Sequence, residues 1–127
     1  MRPIISTIAR AAAKAIRSRI TQLAAPLIVR HRNGNVITAA IADGKLITVT
    51  AHLAVLGASD DTQHRYGSHA GKKIAAAHRA RTGRAPLRIW TIASTGYPIH
   101  VYAYSPADPA LAEGLRAYPR TAHLIAA

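Results

Sequence analysis

Apolar residues open the chain at steps of three and four: Ile5, Ile8, Ala12, Ile16, Ile20 and Leu23. This spacing is one face of a helix, predicted to begin at Pro3, a favoured first helical position, and to end before Pro26. Arg10, Lys14, Arg17 and Thr21 fall on another face. The helix is therefore expected to turn its apolar side to the domain and its cationic side to a partner.

Shorter apolar runs follow. Leu27 to Arg32, Val36 to Ala42 and Leu46 to Thr50 are separated by Asn33-Gly34-Asn35 and Asp43-Gly44. Asn, Asp and Gly tolerate the positive φ of tight turns, so the segment predicts an antiparallel three-strand meander. His52 to Leu56 predicts a short helix stopped by Gly57. Ser59, Asp60 and Asp61 then offer N-cap oxygens to a longer helix with its body at Gln63 to Thr82 and Gly83 at its end. Gly67 and Gly71 weaken its front half, so its regular part is expected to begin near Gly71. Leu87 to Ala93 and Tyr97 to Tyr104, around Ser94-Thr95-Gly96, predict a hairpin. Asp108-Pro109 predicts a last helix to about Tyr118, ended by Pro119, and the tail His123 to Ala127 is expected to fray or dock weakly. The fold class expected is α+β, in one domain over 1–127 with no internal repeat and no linker.

Composition sharpens the picture. The 127 residues are 50% hydrophobic with no Phe and one Trp, so a core of Ala, Ile, Leu and Val is expected. Cysteine is absent, which removes disulfides, thiolate metal sites and cysteine nucleophiles. No apolar run reaches the roughly 20 residues of a membrane span. Arg10, Lys14, Arg17 and Arg19 interrupt any signal-peptide core, although an Arg- and Ala-rich, acid-free amphipathic start is also how a transit peptide looks.

Charge carries the functional argument. Seventeen Lys and Arg face five Asp and Glu, giving a formal net charge of +12. The first acid is Asp43. Such an imbalance costs stability by self-repulsion, and a polyanion relieves it. On the longer helix, Arg65, His69, Lys72, Ala76 and Arg79 lie along one side with Lys73 and Arg81 beside them, while Ile74 and Ala77 mark the core side. A helix with no acid after Asp61 suits contact with phosphates. Arg84, just past the helix, and Arg10, Lys14 and Arg17 of the first helix extend the candidate nucleic-acid-binding set. Duplex DNA is the favoured partner, with a homo-oligomer as a further possibility and a cytoplasmic, nucleoid-associated location, or a virion if the chain is viral.

A short helix, a longer basic helix and a hairpin follow one another between 51 and 104. Winged-helix DNA-binding domains have this order. The stretch from Tyr66-Gly67-Ser68 through Arg79-Ala80-Arg81-Thr82-Gly83, with the Gly96 hairpin and Val101-Tyr102-Ala103-Tyr104, resembles small DNA-binding proteins of actinobacterial phages and plasmids. The resemblance implies that the helix through Lys72, Lys73 and Arg79 is the reading element and that the loop Ser94 to Tyr97 touches the minor groove or the backbone. Asp60 and Asp61 depart from it, because their charge would face phosphates unless they cap the helix.

Other chemistries are weaker. Gly67 to Lys73 is not a phosphate-binding loop of the Walker type: its glycine spacing is one residue short, and Lys73 stands where a magnesium-binding hydroxyl belongs. Seven histidines include no helical i, i+4 metal pair, and neither a metal nor a cofactor is expected. His100 near Tyr102, or His69 near Lys72, would suit a metal-independent ribonuclease. Trp90, Tyr97, Tyr102 and Tyr104, interleaved with Arg88, offer base stacking, but the preferred reading is that the aromatics replace the missing Phe in the core. Besides a non-enzymatic DNA-binding protein, the alternatives are an assembly protein of a virus particle or nucleoprotein filament, that ribonuclease and, last, a peripheral membrane protein, since the first helix lacks anchoring Trp and Phe.

Overall fold

The computed structural model describes the backbone of residues 2–125 and the side chains of residues 7–125. The side chains of Pro3 and Ile5 and the end of the tail, 126–127, lie outside the described residues. The fold is α+β. In chain order it has a long helix α1 (Arg2–Ala42), a short strand β1 (Ile47–Thr48), helices α2 (Val49–Val55) and α3 (Asp60–Thr82), strands β2 (Leu87–Ile92) and β3 (Pro98–Tyr104), and helix α4 (Pro109–Ala117). A 3-10 turn, Ala122–Leu124, follows. The strands form one antiparallel sheet in the order β1-β3-β2.

The expected meander is not there. Leu27 to Arg32 and Val36 to Ala42 belong to α1, which also runs through Pro26 instead of ending before it. Gly34 does take the positive φ predicted for it, at 78°, but it bends one helix into the next instead of joining two strands. Tertiary contact overrides the proline and the β-branched run. The Gln22 amide donates to the Thr95 carbonyl at the hairpin tip (2.9 Å), and Asn33 grips Trp90 in β2. Of the third predicted strand only Ile47–Thr48 remains, because the Thr48 hydroxyl accepts the Ala51 N–H (3.2 Å) and so starts α2. Those two residues pair with Tyr104 and Ala103 of β3, on the side of β3 away from β2.

The apolar face of α1 is also turned the other way. Ile8, Ile16, Ile20, Leu23 and Leu27 are exposed, and the side toward the hairpin carries Gln22, the buried Ala25 and Asn33. The core lies elsewhere. Leu53 of α2, Ala70 and Ile74 of α3, Tyr104 of β3 and Ala110, Leu111 and Leu115 of α4 are buried together. α4 closes this core from the side of α3, and its Gly114 rests on Ile74. Asp108 positions it: one carboxylate oxygen accepts the Ala110 N–H (2.9 Å) as N-cap, and the other lies 3.0 Å from Nδ1 of His78 on α3.

Candidate nucleic-acid interface

α3 is regular from its first residue, so Gly67 and Gly71 do not delay it. The Ser59 hydroxyl accepts the Thr62 N–H (3.1 Å), and Gly83 ends the helix in the left-handed conformation. Ser59, not Asp60 or Asp61, is therefore the cap. Asp61 instead pairs with Arg65 one turn on (3.0 Å), and both acids lie in the first turn, where the helix dipole favours them.

Ala70, Ile74 and Ala75 face the core. The opposite ridge carries Arg65, His69, Lys72, Lys73, Ala76 and Arg79, all exposed. The stripe read from the sequence is thus one continuous outer face. Its members differ in what they touch. Arg65 is engaged by Asp61. His69 lies against the Tyr118 ring at 6.1 Å. Lys72 and Lys73 have no ion-pair partner among the described residues. Arg81 leaves the ridge, and its guanidinium binds Glu113 of α4 (Nε to Oε1, 2.9 Å), a hydrogen bond that holds the Glu113 carboxyl below the usual carboxylate range. Arg84 is exposed in the turn after α3. Arg10, Lys14 and Arg17 are exposed on the first half of α1. Gln22 already meets the hairpin tip, so these three extend past it and do not join the α3 ridge.

Beside the ridge, α2 and α3 on one side and the β2–β3 hairpin on the other enclose an open groove of about 1090 Å³. Lys72 and Arg79 reach it from α3, and Arg88, His100 and Tyr102 from the hairpin. Register explains the hairpin's share. Arg88 pairs with Tyr102 and Trp90 with His100, so all four side chains stand on one face of the sheet.

Tyr102 organises the cations there. Its hydroxyl accepts a hydrogen bond from the Arg79 guanidinium (3.0 Å), and the guanidinium carbons of Arg88 and Arg79 lie 5.1 Å and 5.9 Å from its ring centroid. Guanidiniums are attracted to the negative face of an aromatic ring, so both are held in place without an acid. A second stack lies nearer the tip. Trp90 is parallel to His100 at 4.6 Å, and Arg32 of α1 lies 4.4 Å from the indole centroid. An indole with a cation and an imidazole already packed on it is a poor platform for a base. Tyr104 alone of this group is fully in the core, edge-on to His78. Among the described residues no group of three or more His, Cys, Asp or Glu side chains could hold a metal ion, and no helix is long and apolar enough to cross a membrane.

Arg32 and Asn33 were not among the candidates from the sequence, and Arg88 entered there only as a neighbour of the stacking aromatics, not in the nucleic-acid-binding set. The hairpin pair was readable: positions 88 and 102, and 90 and 100, are equidistant from the loop, which puts them opposite each other in a tight hairpin. Arg32 and Asn33 gave no local signal, because they act only through the docking of α1. Comparison with protein-family models, with curated proteins and with solved structures finds no match for this chain.

Proposed function

We propose that the chain is a non-enzymatic protein that binds duplex DNA, with α3 in the major groove and the β2–β3 hairpin on the flanking backbone. The convergence of Lys72 and Arg79 from α3 with Arg88 and His100 from the hairpin on one groove carries this reading. Cations from two elements around one channel match phosphates on a curved backbone better than a diffuse charge would. An α-helix about 10–12 Å across fits a major groove about 12 Å wide. The order short helix, long helix, hairpin is the one on which the winged-helix resemblance rests, and Arg10, Lys14 and Arg17 add cationic length beyond the tip. With this function the protein would act in the cytoplasm on the nucleoid, or in a virion if the chain is viral.

A salt titration against labelled duplex DNA, single-stranded DNA and RNA tests it, with Lys72→Ala/Lys73→Ala/Arg79→Ala alongside. Duplex binding should persist at physiological salt, and the triple variant should weaken it with a log–log slope shallower by roughly 2–3. If all three ligands bind alike and release together whatever the mutation, the charge is diffuse and the reading turns to packaging or assembly.

A second reading rests on His64 and His100, which line the same groove as Lys72, Arg79 and Arg88. Two imidazoles with cations are the equipment of metal-independent RNA cleavage. It requires that labelled RNA be cut in the presence of a chelator and that His64→Ala or His100→Ala abolish the cutting.

A further inference from the structure

We infer that α1 is the pairing surface for a second copy of this chain, through a parallel coiled coil formed by Ala9, Ala13, Ile16, Ile20, Leu23 and Leu27. These residues are spaced four, three, four, three and four apart, which is the alternation of a coiled-coil seam. They point into solvent: Ile16 is 61% exposed, Ile20 58%, and Leu23 and Leu27 74% each. The face of α1 that holds its own domain, with Gln22, Ala25 and Asn33, lies about half a turn round the helix from the seam. Two copies can therefore join without disturbing the hairpin contact.

The seam has no aromatic residue and runs between Arg17 on one side and Arg19 on the other, with the exposed Ile8 lying outside it. A helix lying on a lipid surface buries a broad apolar face with aromatic anchors, whereas a seam two positions wide fits another helix.

Charge selects the partner's direction. Arg17 and Arg19 flank the seam. In a parallel, in-register pair, flanking positions meet five residues apart. Arg17 of one copy then faces Ala12 of the other, and Arg19 faces Ala24. The arginine stems lie over alanine with their charged ends in water. An antiparallel pair sets like flanks together, Arg17 against Arg17, with no acid before Asp43 to relieve them. The parallel arrangement puts both α3–hairpin units at the same end, so one duplex engages two of them and the second binding event is effectively intramolecular.

The test needs no DNA, so it is independent of the proposed function. The full chain is sedimented to equilibrium at several concentrations, with Leu23→Glu as comparison, which leaves thermal melting of the hairpin–α3 domain unchanged because the side chain is exposed. A dimer that Leu23→Glu weakens at least tenfold is expected. The chain has no cysteine, so orientation is read by single-cysteine variants. Ala13→Cys should oxidise to a covalent dimer, and Ala11→Cys, on the domain side of the helix, should not. A monomer at every concentration overturns the proposal. So does a dimer in which Ala13→Cys fails to cross-link, or a monomer that co-sediments with phosphatidylglycerol vesicles and loses them on Leu23→Glu, which would assign the stripe to a lipid surface.

Discussion

Gly114 of α4 sits directly on the backbone of Ile74 in α3, where a β-carbon on the glycine would stand 2.4 Å from the Ile74 Cα and 2.5 Å from its nitrogen. The two helices can approach this closely only because position 114 has no side chain. Gly114→Ala gains helix propensity but must push α4 off the core, moving Leu111 and Leu115 with it. A net loss of about 1–3 kcal/mol is expected, read as a lower urea midpoint with an unchanged m-value.

The bridge through Asp108 gives a second prediction. Asp108→Ala removes both the N-cap of α4 and the partner of His78, and should cost about 1–3 kcal/mol. Asp108→Ser restores the cap but not the His78 contact, and should recover roughly half of that loss. Equal losses for both variants would mean that the His78 contact carries all the stability.

Tyr104 predicts an alkaline limit. Burial pushes its hydroxyl up to about 12, with repulsion from Asp108 and Tyr102 adding and Arg79 opposing. An unfolded tyrosine ionises near 10. The folded state therefore keeps its proton longer, and stability that is intact below pH 10 is lost between about pH 10 and 12, by at most about 1.4 kcal/mol per pH unit. The hydroxyl has no hydrogen-bond partner among the described residues. Tyr104→Phe should therefore fold with equal or higher stability at neutral pH and show a shallower alkaline decline, measured by denaturation at each pH.

The Tyr102 cluster separates charge from placement in DNA binding. Arg88→Ala deletes a cation and should reduce both affinity and the salt slope, the slope by about 1. Tyr102→Phe keeps the ring under Arg88 and deletes only the oxygen that fixes Arg79. It should leave the slope unchanged while weakening duplex binding by roughly 3-fold, the worth of one net hydrogen bond. A slope change in Tyr102→Phe would mean that Arg79 leaves the interface altogether when released.

The parts of this fold that could be read from the chain are those set by local chemistry. Ser59 and Gly83 bound α3, Gly96 closes the hairpin, and Asp108-Pro109 starts α4, each through backbone geometry that a few neighbouring residues fix. The ridge of α3 was legible for the same reason: core and outer residues alternate at helical period within one element. Residues 27–42 were not. Ile28, Val29, Val36, Ile37 and Thr38 suit a strand as well as a helix, and a left-handed glycine joins either pair of elements. What decides is the grip of Gln22 and Asn33 on a hairpin 73 and 57 residues later, which no local pattern reports. The apolar stripe of α1 misled for a related reason. Periodicity shows that a face is apolar but not what it is packed against.

That grip has a further effect at the margin of the sheet. β2 is an edge strand, and at Trp90 both its N–H and its carbonyl point outward. Asn33 answers both with one side-chain amide, accepting from the N–H at 2.7 Å and donating to the carbonyl at 2.9 Å. These are the two groups through which another molecule's strand would begin to add. With the amide in place the middle rung of the β2 edge is already taken, between the outward-facing positions 88 and 92. The residue just before the bend in α1 thus also occupies the centre of an edge on which another strand would otherwise find both groups of Trp90 open.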